Sequence, residues 1–173
     1  MGNVDKDLKN EMFSVDIIVC YNNKELYHDL EKYIMERGGN GVHWNIIGID
    51  NTNNAFKSAA EAYNQAFKES VGECVIFCHQ DVLFLEDSLY NIANQCLEQP
   101  NVLWGAAGAT KAGKIISNMS TIQEGRKYNT LEVGKETKVQ TLDECMIAAN
   151  RSLFEEIKFD EDTCDGWHLY AVD

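Results

Sequence analysis

The chain has 173 residues, 45% apolar and 25% charged, which is long enough to bury one sizeable core and too apolar for a disordered chain. Its net charge of −13 argues against nucleic acid or an anionic membrane as the main partner, because both are polyanions. No apolar run approaches the roughly 20 residues needed to cross a bilayer. The charged start "MGNVDKDLKNEMF" lacks the apolar stretch of a secretion signal, so the expectation is a cytoplasmic protein, with the inner face of the membrane as a peripheral alternative.

The elements alternate along the chain. "VDIIVCY", Val15 to Tyr21, is a β-branched run that reads as a strand. "KELYHDLEKYIMERGG" follows as a helix, with Leu26, Tyr27, Leu30, Tyr33 and Ile34 at helical spacing and Gly38-Gly39 as a stop. "VHWNIIGID", Val42 to Asp50, is a second strand that ends in an acid. "AFKSAAEAYNQAFKES" is a second helix with Ala59, Ala60, Tyr63 and Phe67 on one face. "CVIFC", Cys74 to Cys78, is the third strand, followed by a helix over roughly Glu86 to Leu97. A fourth strand is expected over Val102 to Gly108.

From Lys114 the pattern changes. "KIISNMS" and "TKVQTLDECMIAAN" read as strands of an antiparallel or mixed portion, with a mobile loop expected around Gly125 to Tyr128. Residues 1–173 read as a single domain, and the dense acidic and aromatic ending "FDEDTCDGWHLYAVD" leads us to expect a chain cut short. The only proline is Pro100, and neither an internal repeat nor a low-complexity tract is present.

Strand–helix alternation predicts an α/β fold, a mixed and mainly parallel sheet flanked by helices. Ligands of such sheets bind outside the carboxyl ends of the strands, near a switch in strand order. Three polar groups stand at those ends: Tyr21-Asn22-Asn23, Asp50-Asn51 and His79-Gln80-Asp81. Asp81 suits a hard divalent cation, Mn²⁺ or Mg²⁺, which is satisfied by one or two carboxylates when diphosphate oxygens and water complete its shell. Manganese also accepts imidazole, which gives His79 and His168 a possible place beside it. As ordinary structure, Asp81 alone would be a loop acid or helix cap and His79 a hydrogen-bonded core residue.

Several motifs do not carry function. "GATKAGKI", Gly108 to Ile115, lacks the hydroxyl residue that ends a phosphate-binding loop and leads into a strand-like run. No GxGxxG follows the first strand. The six cysteines form no CxxC pair, and Cys20, Cys74, Cys78 and Cys145 lie in apolar runs, so they read as small buried hydrophobes. Sequons at Asn118 and Asn150 have no use in a cytoplasmic chain.

"DIIVCYNN", "IIGIDN", "YNQAFKESVGECVIFCHQDV" and "FDEDTCDGWHLYAVD" stand in the order found in inverting glycosyltransferases. The chain resembles that family from Val15 to Asp173, most closely its StrF-like branch. The resemblance implies a GT-A (Rossmann-like) nucleotide-diphospho-sugar transferase fold, a UDP-sugar donor and a saccharide, lipid-linked or protein acceptor. It also implies that Tyr21 and Asn22 line the base and ribose pocket, that Asp50 accepts a hydrogen bond from uracil or ribose, and that Asn51 is a weaker neighbour. Most of the family has Asp-x-Asp after the third strand; here His79-Gln80-Asp81 replaces it, with Asp81 in the metal-binding place and the first acid missing. His168 would reach back to that metal; Trp167 reads first as a core tryptophan, with stacking on a sugar face as the alternative.

An inverting transfer needs one carboxylate to deprotonate the acceptor. Asp165 is the first candidate and Asp143 the second; as ordinary structure they would be a helix cap and a strand-end acid. Asn64, on a helical face, is expected to be structural as well as adjacent to the site. Two other functions fit less of the sequence: a sugar nucleotidyltransferase, which needs more basic residues than Lys24 after the first strand, and a non-catalytic module binding a nucleotide sugar or a partner.

Overall fold

The computed structural model describes residues 13–38, 41–85, 87–119, 135–163 and 166–167. Strands β1 (Phe13–Tyr21), β2 (Val42–Asp50) and β3 (Cys74–His79) are parallel neighbours, separated in sequence by helices α1 (Lys24–Arg37) and α2 (Ala59–Phe67). Helix α3 (Ser88–Glu98) follows, then β4 (Trp104–Gly105), β5 (Ala107–Ala109), β6 (Ile115–Ser117), β7 (Thr141–Leu142), β8 (Met146–Asn150) and α4 (Arg151–Glu156). The main sheet has the order β2-β1-β3-β8-β4, with β8 antiparallel to both of its neighbours. A small antiparallel sheet, β6-β5-β7, sits beside it.

The main sheet is covered on both faces, which explains why its central strands are apolar almost throughout rather than alternating. Val15, Ile17, Val19, Ile76 and Cys78 face Leu30 and Ile34 of α1 and Leu89, Ala93 and Cys96 of α3. On the opposite face Ile18, Val75, Phe77 and Ile147 pack against Ala60, Tyr63 and Ala66 of α2 and Phe154 of α4. The starts of α1 and α2 are capped as their sequences dictate. Asn23 Oδ1 accepts from the N–H groups of Glu25 and Leu26, and Ser58 Oγ accepts from Glu61 N. The cap at Ser58 starts α2 at Ala59, four residues later than the Ala55 with which the sequence reading began it.

The second half departs from the sequence reading in a regular way. The strand expected over Val102–Gly108 is two strands in two sheets, β4 and β5, and the run ending at Asn150 likewise divides into β7 and β8. The chain passes from one sheet to the other at Ala106. Helix α4, which the sequence reading omitted, begins directly where β8 ends. "GATKAGKI" is the β5–β6 hairpin: Thr110 N donates to Lys114 O (2.9 Å), Gly113 N donates to Thr110 O (2.8 Å), and Gly113 has φ +77°. A hairpin tip presents no helix N-terminus to a phosphate. The loop expected around Gly125–Tyr128 lies outside the described residues.

Candidate functional site

Strand order reverses at β1: α1 carries the chain to β2 on one side, and α2 returns it to β3 on the other. The crevice of the sheet therefore lies between the carboxyl ends of β1 and β3. The ends are flush, since Tyr21 pairs with Asp50 and Cys20 with His79 in the strand register. The three polar groups read from the sequence thus share one edge.

Tyr21 stacks on Tyr27 of α1, ring centroids 4.3 Å apart and 15° from parallel. Gly48 makes this possible, because a Cβ there would lie 2.5 Å from the Tyr27 ring. Burial, then the Asp50 charge, raises the pKa of Tyr21, and burial with Glu31 pushes Tyr27 up to about 12. Both phenols stay protonated at neutral pH.

Asp50 is strongly engaged. Its Oδ1 accepts from Thr52 N (2.9 Å) and Thr52 Oγ1 (2.6 Å), and Lys24 Nζ stands 3.0 Å from Oδ2. The Thr52 bonds, followed by Lys24, hold the carboxyl at about 2. A carboxylate offers about four acceptor positions, so Asp50 keeps room for little more than one further donor. Asn51 is buried; its N–H donates to Tyr21 O (2.8 Å) and its Oδ1 accepts from Phe56 N (2.9 Å). Asn51 shapes the loop, and its amide oxygen is spent there.

The triplet after β3 is held from both sides. His79 N donates to Cys145 O (3.0 Å), and Gln80 lies against the turn after β1. Gln80 Oε1 accepts from Asn22 N (3.2 Å) and Asn23 N (2.9 Å), while Gln80 Nε2 donates to Asn22 Oδ1 (2.7 Å). Further on, Phe84 is buried and its carbonyl accepts a bond from the Tyr33 hydroxyl. Asp81, between these anchors, is exposed, and among the described residues its carboxylate makes no hydrogen bond or ion pair. It differs in this from Asp50.

Asp143 precedes β8, whose antiparallel course brings Met146 opposite Cys78. The acid therefore stands near the same edge, with Oδ1 accepting from Cys145 N (2.9 Å). Asn64 sits on α2 facing the stretch that follows α4. Its Nδ2 donates to Phe159 O (2.8 Å) and Glu161 Oε1 (2.9 Å), and its Oδ1 accepts from Phe159 N (3.1 Å). Ala59 N, at the start of α2, donates to Gly166 O (3.0 Å), and Trp167 is exposed. Asp165 and His168 lie outside the described residues.

Cys20 and Cys78, in the strands that end at this edge, are held protonated. Burial, with Asp50 for Cys20 and Asp81 for Cys78, pushes both up to about 12. Among the described residues no three His, Cys, Asp or Glu side chains gather to hold a cation. Among the described residues this edge offers the unengaged carboxylate of Asp81, with the half-buried His79 before it. That set fits a cation that shares its shell with a diphosphate and water, and does not make an all-protein cage. Sequence reasoning placed Gln80 at this edge without its hydrogen-bonding role, read Tyr27 only as part of a helical face, and missed Thr52. Among the described residues no helix is long and apolar enough to cross a membrane.

No curated protein is similar enough to match the chain. One similar solved structure is the mannosyltransferase PcManGT from Pyrobaculum calidifontis in complex with GDP-Man and Mn²⁺, with TM-score 0.54 and 19% sequence identity. The match covers 91% of this chain and 55% of that one, so the chain spans a little over half the length of that enzyme. The model of a family described as "Glycosyltransferase like family" matches residues 16–173. The ordered strand ends, the mixed sheet and this match over nearly the whole length agree: the chain belongs to the glycosyltransferase-like family and has the GT-A fold.

Proposed function

We propose that this chain is a single glycosyltransferase domain of the StrF-like branch that moves a sugar, with inversion, from a nucleoside-diphosphate sugar to an acceptor hydroxyl. The observation that carries this reading is the Asp81 carboxylate, exposed between two anchored loops at the switch-point edge and unengaged among the described residues. Tyr21 offers a ring edge to the nucleoside, and Asp50 accepts a hydrogen bond from uracil or ribose through its remaining acceptor position. Asp81, with His79 beside it, would hold Mn²⁺ or Mg²⁺ against the diphosphate. A cation bound there supplies Lewis-acid stabilisation of the departing diphosphate. Asp165 or Asp143 takes the acceptor proton; Oδ2 is the Asp143 oxygen left for this, because Oδ1 is tied to Cys145 N.

Calorimetry with UDP and with GDP tests the donor half, since the fold relative binds GDP-Man. Mn²⁺ is expected to raise nucleotide affinity about tenfold or more in the wild type, and Asp81→Ala to abolish that gain. Equal, metal-independent binding by both proteins removes Asp81 from its assigned role.

A non-catalytic nucleotide-sugar-binding module is the second reading. It is favoured by the single acid in His79-Gln80-Asp81 and by the engaged Oδ1 of Asp143. Release of nucleotide from UDP- and GDP-sugars separates the two: binding without turnover of any donor supports the module. A sugar nucleotidyltransferase has less support, because Lys24 is already paired with Asp50.

A further inference from the structure

Gln80 is the middle residue of the triplet, where the motif itself requires no particular side chain, yet it makes three hydrogen bonds. All three go to the turn that ends β1, 57 or 58 positions away in sequence. The pairing is reciprocal. Gln80 Oε1 takes the two successive N–H groups of Asn22 and Asn23, and Gln80 Nε2 returns a bond to Asn22 Oδ1 at 2.7 Å. No other residue type supplies both halves at this reach: Glu lacks the donor, Asn is one methylene short, and Met has neither group.

The contact also joins two elements of different duty. On the β1 side, Asn22 follows Tyr21 directly, and Asn23 Oδ1 caps α1 through Glu25 N and Leu26 N. On the β3 side, Asp81 is the next residue after Gln80, and Phe84 anchors the far end of its loop in the core. Backbone pairing between the two strands stops at Cys20↔His79. Beyond that rung the Gln80 amide continues the connection past the end of the sheet.

We propose that Gln80 is a positioning residue that locks the Asn22–Asn23 turn to the Asp81 loop. The nucleoside side and the diphosphate side of the crevice then meet a ligand as one rigid unit. The proposal rests on the donor reading above. Preorganisation of this kind lowers the ordering cost of binding a ligand that spans both sides, and leaves a ligand confined to one side unaffected.

The test uses Gln80→Met, which keeps the length of the side chain and removes its polar atoms, with Gln80→Glu as the variant that retains the acceptor. The first measurement needs no ligand. Amide hydrogen exchange at Asn22 and Asn23 is expected to accelerate about tenfold or more in Gln80→Met and far less in Gln80→Glu. Unchanged exchange in Gln80→Met overturns the tether, whatever the protein binds. The second measurement is the factor by which Mn²⁺ raises UDP and GDP affinity, set beside the affinity for uridine and guanosine alone. A tether predicts that Gln80→Met cuts the Mn²⁺ gain about fivefold to tenfold while nucleoside affinity and melting temperature stay near wild type. A purely structural role lowers nucleoside affinity and melting temperature together and spares the Mn²⁺ gain, and that result overturns the proposal. If the wild type binds neither nucleotide, the donor reading has failed and Gln80 has no role in ligand binding, even where the exchange result confirms the tether.

Discussion

Asp50 and Asp81 are two acids at the same sheet edge with opposite surroundings. Asp50 takes the Thr52 hydroxyl and N–H and the Lys24 ammonium, and is held at about 2. It therefore stays ionised at any physiological pH and serves only as an acceptor. Because its folded pKa lies below the ordinary 3.8, its charge favours the folded state above that value, and the contribution is lost as pH falls toward 2. A carboxyl-carbon NMR titration is expected to give a midpoint near 2 in the wild type. Thr52→Val should move it upward most, because the hydroxyl bond is the largest cause, and Lys24→Met by less. A midpoint that ignores both changes would mean that the Thr52 and Lys24 contacts do not form in solution. Asp81, without such partners among the described residues, keeps its oxygens for a ligand. Nothing in the residue type distinguishes the two acids. The partners do, and Thr52 and Lys24 were legible in the sequence only as neighbours.

At the scale of elements, the opposite edge of the sheet shows what holds the frame. Asp16 in β1 is almost fully buried, 1% exposed. Its Oδ2 accepts from Val71 N (2.6 Å) and Gly72 N (2.8 Å), and its Oδ1 accepts from Asn45 Nδ2 (2.9 Å). One carboxylate thus ties β1 to β2 and to the connection from α2 into β3. Burial alone would raise its pKa, but the bonds from Gly72, Asn45, Ser70 and Val71 outweigh it and leave the value below 3.8. Asp16→Ala orphans the donors of Val71, Gly72 and Asn45 and is expected to cost about 3 kcal/mol in urea denaturation, against about 1 for Asp16→Asn. The gap between wild type and Asp16→Ala should hold above pH 3.8 and narrow as pH falls through the native value of Asp16. A loss below about 0.5 kcal/mol at neutral pH would refute the tie. The first three strands and helices were readable because each is long and strongly patterned. β4, β5 and β7 were not, because two or three residues carry no period. Gly108 shows the cause: a Cβ there would meet Thr141 O at 2.2 Å, so the close approach of β5 and β7 depends on a missing side chain. The pairing of Gln80, though not its place at the edge, escaped reading for a related reason, as its partners are remote in sequence and amide pairing leaves no local pattern.

For the molecule as a whole, the net charge of −13 sets a problem that the proposed chemistry has to solve, because the donor is itself an anion. Lys24, the basic residue beside the crevice, is already neutralised by Asp50. Without a metal, a nucleoside diphosphate approaches a surface of its own sign. Repulsion of this kind is screened by salt, with a Debye length falling from about 30 Å at 0.01 M to about 10 Å at 0.1 M. Metal-free UDP or GDP is therefore expected to bind more tightly, by about twofold to threefold, as salt rises over that range. Mn²⁺ has the opposite relation to the protein, so its own affinity should weaken with the same addition. Isothermal titration at two or three KCl concentrations, with nucleotide and metal varied separately, measures both slopes. Opposite signs are the outcome expected if the cation bridges an acidic crevice and an anionic donor. Metal-free nucleotide binding that weakens with salt would instead require a positive local field and would overturn this expectation.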